Sequence, residues 1–112
     1  MTVVDAAFST DRMRAIFAPQ AFVQRMLDFE AALARACARA DVIPASASQA
    51  IAAACQSAKF DAHALSVAAR AAGNRAIPMV AALTAQVAPD ARGYVHWGAT
   101  SQDVIDTARI LQ

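Results

Sequence analysis

Apolar residues recur every three or four positions along nearly the whole chain, the spacing of helices that each bury one face. The longest such run starts at Pro19, a residue suited to a helix's first turn, and continues to about Ala40. Within it Phe22, Met26, Phe29, Leu33, Ala36 and Ala40 alternate at spacings of four and three, which predicts an apolar stripe along one side. Gln24, Arg25, Asp28, Arg35 and Arg39 are expected on the opposite face. Asp41 to Pro44 ends the segment.

The punctuation between runs predicts the remaining elements. Ser9, Thr10 and Asp11 are N-cap candidates for a short helix reaching Phe17. Ser46 or Ser48 can cap a helix through Gln56, and Asp61 caps another that Gly73 stops. Pro78 is expected to open a fifth, with Val80, Leu83, Thr84 and Val87 on one face and Pro89-Asp90 at its end. Gly93 to Ala99 reads as a loop or short extended piece, and Thr100 or Ser101 starts a sixth helix. The fold class is therefore all-α, five or six helices with no sheet. The last helix shows no closing signal at Leu111-Gln112. We therefore expect the N-terminal piece of a longer protein, with residues 1–99 a helical domain and residues 100–112 the start of a long further helix.

Composition narrows the function classes. A chain of 112 residues fits one domain, and 58% of it is apolar, although 32 alanines make that count overstate apolar volume. Charged residues are only 17%, so a good part of the surface is expected to be covered by something else. The net charge of +1 makes no electrostatic case for nucleic acid or an anionic membrane. The longest charge-free run, Val42 to Ala58, carries Pro44, three Ser and two Gln, so no transmembrane span is predicted. The N-terminus lacks the pattern of a signal peptide. Cys37 and Cys55 sit in Ala-rich helical pattern without metal-ligand or redox spacing and read as small core residues in a reducing cytoplasm. No metal-ligand spacing, P-loop or GxGxxG is present.

Polar chemistry concentrates in one place, Tyr94 to Asp103, "YVHWGATSQD". One reading is purely structural. Thr100 caps the helix, Asp103 reaches back to complete a capping box, and His96 and Trp97 are loop residues that pack down. The functional reading uses the same helix end, whose free amides and partial positive charge suit an anion. Thr100 and Ser101 add hydroxyl donors, Gly98 allows close approach, and His96 can donate a hydrogen bond or carry charge. The two readings are compatible.

The run "YVHWGATSQDVIDTA", Tyr94 to Ala108, resembles the first of three active-site segments of the fumarase/aspartase superfamily. With "MLDFEAALARA" (Met26 to Ala36), "AGNRAIPMV" (Ala72 to Val80) and "LTAQV" (Leu83 to Val87), the chain looks most like the bacterial carboxymuconate cycloisomerase family over nearly its whole length. Arg75 stands where that family usually has Pro. An adenylosuccinate-lyase-like enzyme is the alternative within the superfamily. A non-catalytic helical module binding through the Phe22–Leu33 stripe is the alternative outside it.

The resemblance implies cofactor-free closure of 3-carboxy-cis,cis-muconate to 4-carboxymuconolactone, in protocatechuate degradation, through an enolate-like carboxylate. It implies a cytoplasmic homotetramer whose active sites draw on three subunits. By position, Thr100, Ser101, His96 and Asn74 look like substrate-binding residues for a small tricarboxylate, with Gly98 and Asp103 structural at the site. Arg75 is left open, His63 reads as structural or surface, and Trp97 as packing. No catalytic residue is expected within the chain, because the family's acid/base histidine and serine loop lie downstream. The chain alone is expected to be inactive.

Overall fold

The computed structural model describes residues 3–112. Among them are seven α-helices and no strand: α1 (Val3–Phe8), α2 (Asp11–Ile16), α3 (Pro19–Arg39), α4 (Ala45–Ala54), α5 (Ala62–Ala72), α6 (Ala76–Gln86) and α7 (Ser101–Leu111). Single 3₁₀ turns at Ser57–Lys59 and Arg92–Tyr94 fill two of the connections. The all-α expectation holds, with α1 as an additional helix.

The longest helix, α3, is the spine. It packs chiefly against α4 and α7, while α5 and α6 form a hairpin that closes on α3 and α7. Met26, Leu27, Ile51, Met79, Leu83 and Val104 are wholly buried where these helices meet, and so is one carboxylate, Glu30. Burying a side chain of leucine or methionine size contributes about 1.5–3 kcal/mol, so this shared core outweighs the helices' own propensities. The molecule measures 50 × 27 × 23 Å. Helices α1 and α2 add little to its core, since Val3, Val4, Phe8, Met13 and Phe17 are exposed. A hydrogen bond of 2.9 Å from Gln112 Nε2 to Ile16 O ties α2's end to the end of α7.

The buried face of α3 is rotated from the predicted stripe. Phe22, Val23, Met26, Leu27, Glu30, Ala31 and Ala34 are buried, whereas Phe29 and Leu33 are only partly covered and Ala36 and Ala40 are exposed. Helix α3 faces neighbours on two sides, so its covered arc is wider than a two-stranded seam and takes in a carboxylate. Gln24, expected on the solvent side, links α3 to the end of α4. Its Nε2 donates to Cys55 O at 3.3 Å, and its Oε1 accepts from Ser57 N at 2.8 Å.

Two helix starts are also corrected. Pro44, not Ser46 or Ser48, occupies the N-cap of α4, and Ser48 is buried inside the helix. Helix α6 begins at Ala76 with Arg75 at its N-cap, so Pro78 sits within the first turn, where its missing N–H leaves no helix bond unmade. The caps at Thr10 and Asp61 are as expected, accepting from Met13 N at 3.2 Å and Ala64 N at 3.0 Å. So is the left-handed stop at Gly73.

Candidate functional site

Helix α7 starts with the capping box that its sequence predicts. Thr100 N donates to Asp103 Oδ2 at 2.8 Å, and Asp103 N donates to Thr100 Oγ1 at 3.4 Å. The Thr100 hydroxyl also donates to Asp103 Oδ2 at 3.1 Å. Those two hydrogen bonds from Thr100 hold the Asp103 carboxyl below the usual carboxylate range. The structural reading of Thr100 and Asp103 is thus correct, and the Thr100 hydroxyl is already engaged both as donor and as acceptor.

What the box does not use is the start of the helix itself. The Ser101 and Gln102 amides occupy the first two helical positions, which have no intrahelical partner. Ser101, half-buried, makes no side-chain hydrogen bond among the described residues. Gly98 lies at φ +73°, a left-handed conformation that glycine adopts without strain, and a Cβ placed there would meet nothing within 4 Å. The space at Gly98 is therefore open, three residues before a helix start with two unpaired amides and one unpaired hydroxyl.

Charge is divided between adjacent faces of α7. On one, a groove of about 390 Å³ is lined by Phe29 and Leu33 of α3 with Gly98, Asp103, Asp106 and Thr107. On the other, a recess of about 440 Å³ is lined by Arg70, Asn74, Arg75, Gln102, Ile105 and Arg109. None of those three arginines forms a salt bridge with a described carboxylate, although the Arg75 guanidinium lies 4.9 Å from the centre of the Phe22 ring. Ser101 lies one helical turn before Ile105, on the stripe that borders the basic recess.

The predicted site residues thus fall into three groups. Thr100, Ser101, Gly98 and Asp103 meet at the start of α7. Asn74 lies in the basic recess, where its Oδ1 also accepts from Ile77 N at 3.0 Å and so helps start α6. His96 is turned inward: its Nδ1 pairs with Glu30 Oε1 on α3. Its backbone is left-handed, φ +60°, which is costly for a residue with a Cβ. The Trp97 ring lies tilted against Tyr94, with ring centres 5.7 Å apart and planes at 46°, and otherwise stays half-exposed. His63 lies on the surface, as expected.

Glu30 is the residue that sequence reading missed. Its side chain is 0% exposed, its Oε2 has no hydrogen-bond partner, and burial pushes its carboxyl above the usual range against the opposing pull of His96. The available signal was spacing: Glu30 follows Met26 by four and Leu27 by three, which puts a charge on the apolar face. Buried Cys55 is unreactive by environment. Burial first, and the Glu30 charge second, push its thiol up to about 12. No group of three or more His, Cys, Asp or Glu side chains among the described residues is arranged to hold a metal ion. No described helix is long and apolar enough to cross a membrane.

The family model described as lyase matches residues 6–112. The chain is 58% identical over 106 residues to a 3-carboxy-cis,cis-muconate cycloisomerase of Bradyrhizobium diazoefficiens, a match covering 92% of this chain and 24% of that protein. It is similar in structure to the 3-carboxy-cis,cis-muconate lactonizing enzyme of Pseudomonas putida. There the TM-score is 0.93 with 51% identity, covering 97% of this chain and 26% of that one. The corresponding figures for the cycloisomerase of Acinetobacter calcoaceticus are 0.92, 45%, 98% and 27%. The chain spans about a quarter of the length of these relatives.

Proposed function

Because the chain belongs to the lyase family, within the fumarase/aspartase superfamily, we propose that it is the substrate-binding N-terminal part of an enzyme that closes 3-carboxy-cis,cis-muconate to 4-carboxymuconolactone. The observation that carries this reading is the start of α7, where the Ser101 and Gln102 amides and the Ser101 hydroxyl are unengaged beside an open Gly98. A substrate with three carboxylates needs such donors. As the lactone C–O bond forms, negative charge moves onto a neighbouring carboxylate, and donors fixed in advance bind that form more strongly than the ground state. Ser101 supplies the free hydroxyl. Thr100 joins only by releasing Asp103, and otherwise serves by holding the helix start. Asn74 and the arginines of the recess draw the remaining carboxylates toward Ser101.

The proton donor and the serine loop of the reaction come from outside this chain, and neither metal nor nucleotide takes part. The setting is protocatechuate breakdown in the cytoplasm, consistent with the free Cys37 and Cys55. The working form is a homotetramer, in which exposed Val3, Phe8, Phe17, Ile110 and Leu111 are covered.

A hydrogen bond to a charged group contributes about 1.5–3 kcal/mol. Ser101→Ala in the full-length enzyme should therefore lower kcat/KM by roughly ten- to a hundred-fold, at about 1.4 kcal/mol per decade, with little change in melting. Unchanged kinetics would leave the start of α7 a cap and nothing more. A second reading, a lyase acting on a phosphate-bearing substrate such as adenylosuccinate, is favoured by one observation, the basic recess. Turnover of the two substrates side by side separates them.

A further inference from the structure

The Glu30–His96 pair is expensive on both sides. A carboxylate with no exposed surface loses its hydration and recovers little of it from one donor, since Oε2 remains without a partner. His96 reaches it only by holding a left-handed backbone. The partners lie 66 residues apart, one mid-helix and one in a loop, so neither is the other's local cap. Packing supplies no reason for the charge, because a methionine or leucine would fill the same space among Met26, Leu27, Ala31 and Ala34.

We propose that Glu30 is a positioning residue for His96: its buried carboxylate accepts the imidazole Nδ1–H, fixes that tautomer, and presents Nε2 to the substrate. The inference rests on the cycloisomerase reading for the substrate, but not for the tautomer. An ionised Glu30 offers only lone pairs, so the nitrogen facing it must carry the proton. Nε2, which makes no hydrogen bond among the described residues, is then an acceptor in the neutral ring and a donor in the charged one. The lack of a second donor on Glu30 strengthens this coupling. A carboxylate that accepts several hydrogen bonds has its charge spread among them, whereas this one has His96 as its one hydrogen-bond donor among the described residues. Glu30 touches no substrate, and acts through the imidazole as second partners of ligating histidines do.

Two measurements test this independently. In the 112-residue chain, the imidazole ¹⁵N shifts of His96 should report a protonated Nδ1 in the neutral ring, and Glu30→Met should move the proton toward Nε2. An unchanged tautomer in Glu30→Met overturns the proposal whatever the enzyme's substrate. In the full-length enzyme, Glu30→Gln keeps the volume and an acceptor but removes the charge. It should melt no lower than the parent yet lose at least ten-fold in kcat with KM changed less than two-fold. A Glu30→Gln enzyme with kcat within two-fold of the parent, or with activity lost only in proportion to unfolding, overturns the role. If the parent does not turn over carboxymuconate, the function reading fails, while the tautomer measurement still decides what Glu30 does to His96.

Discussion

Helices α6 and α7 are both reached through a left-handed corner and a polar residue that captures an amide of the first turn, yet the two approaches are held differently. Before α6, Gly73 turns at φ +86° and Asn74 accepts from Ile77 N, all within five residues. Before α7, the turn is made twice, at His96 and at Gly98, and the capping box of Thr100 and Asp103 is joined by a bond to Glu30 in the middle of α3. The first approach is organised by its own residues. The second takes part of its shape from the core, through a contact with a residue 66 positions earlier.

Removing the distant support should break this contrast with the largest effect. Glu30→Ala leaves a cavity and an imidazole without its partner, and should cost about 3–5 kcal/mol. Thermal unfolding monitored by circular dichroism measures it. A loss below about 1 kcal/mol would show that the α7 approach is held locally after all, like that of α6.

The two glycines sharpen the comparison. A Cβ at Gly73 or Gly98 would meet nothing within 4 Å, so Ala at either position costs backbone strain alone, about 1–2 kcal/mol. Equal losses in melting would place the whole difference between the approaches in the His96–Glu30 bond. A clearly larger loss at Gly98 would mean that strain there adds to the strain at His96.

The caps should give the smallest effects. Thr100→Ala should cost about 1 kcal/mol and Asn74→Ala about 0.5–1 kcal/mol, measured by the same melting. Acid separates them further. The folded-state pKa of Asp103 is lowered, so its contribution is present above the ordinary value near 4 and fades as pH falls through the lower folded value. Glu30 has the opposite sign. Its pKa is raised, so its contribution is complete below about 4.3 and lost as pH rises through the higher folded value. Between pH 5 and 2, parent minus Thr100→Ala should therefore shrink, while parent minus Asn74→Ala should stay constant.

The same division explains what the sequence disclosed. Caps, stops and turns are short-range, so Thr10, Asp61, Gly73 and the Thr100–Asp103 box were legible from a few neighbouring letters. The placement of Pro78 and the cap of α4 were not, because proline fits more than one first-turn position and Ser48 was taken into the core. The buried arc of α3 was misread by a rotation because a seven-residue stripe assumes one neighbour where the fold supplies several. At the site, the capping box was legible in the run "GATSQD". The orientation of His96 was not, since its partner stands 66 residues earlier and shows only as a charge at an apolar spacing.

That separation has a consequence during synthesis. At about 5–20 residues per second, a ribosome needs on the order of 3–13 s to add the 66 residues between Glu30 and His96. Once Ala54 has been added, α3 and α4 are both present to pair, while Glu30 still has no imidazole to meet. The nascent hairpin must therefore keep that side of α3 wet, and the carboxylate can dehydrate only when the loop before α7 arrives. Final closure of the core is thus timed by translation to the emergence of the loop before α7.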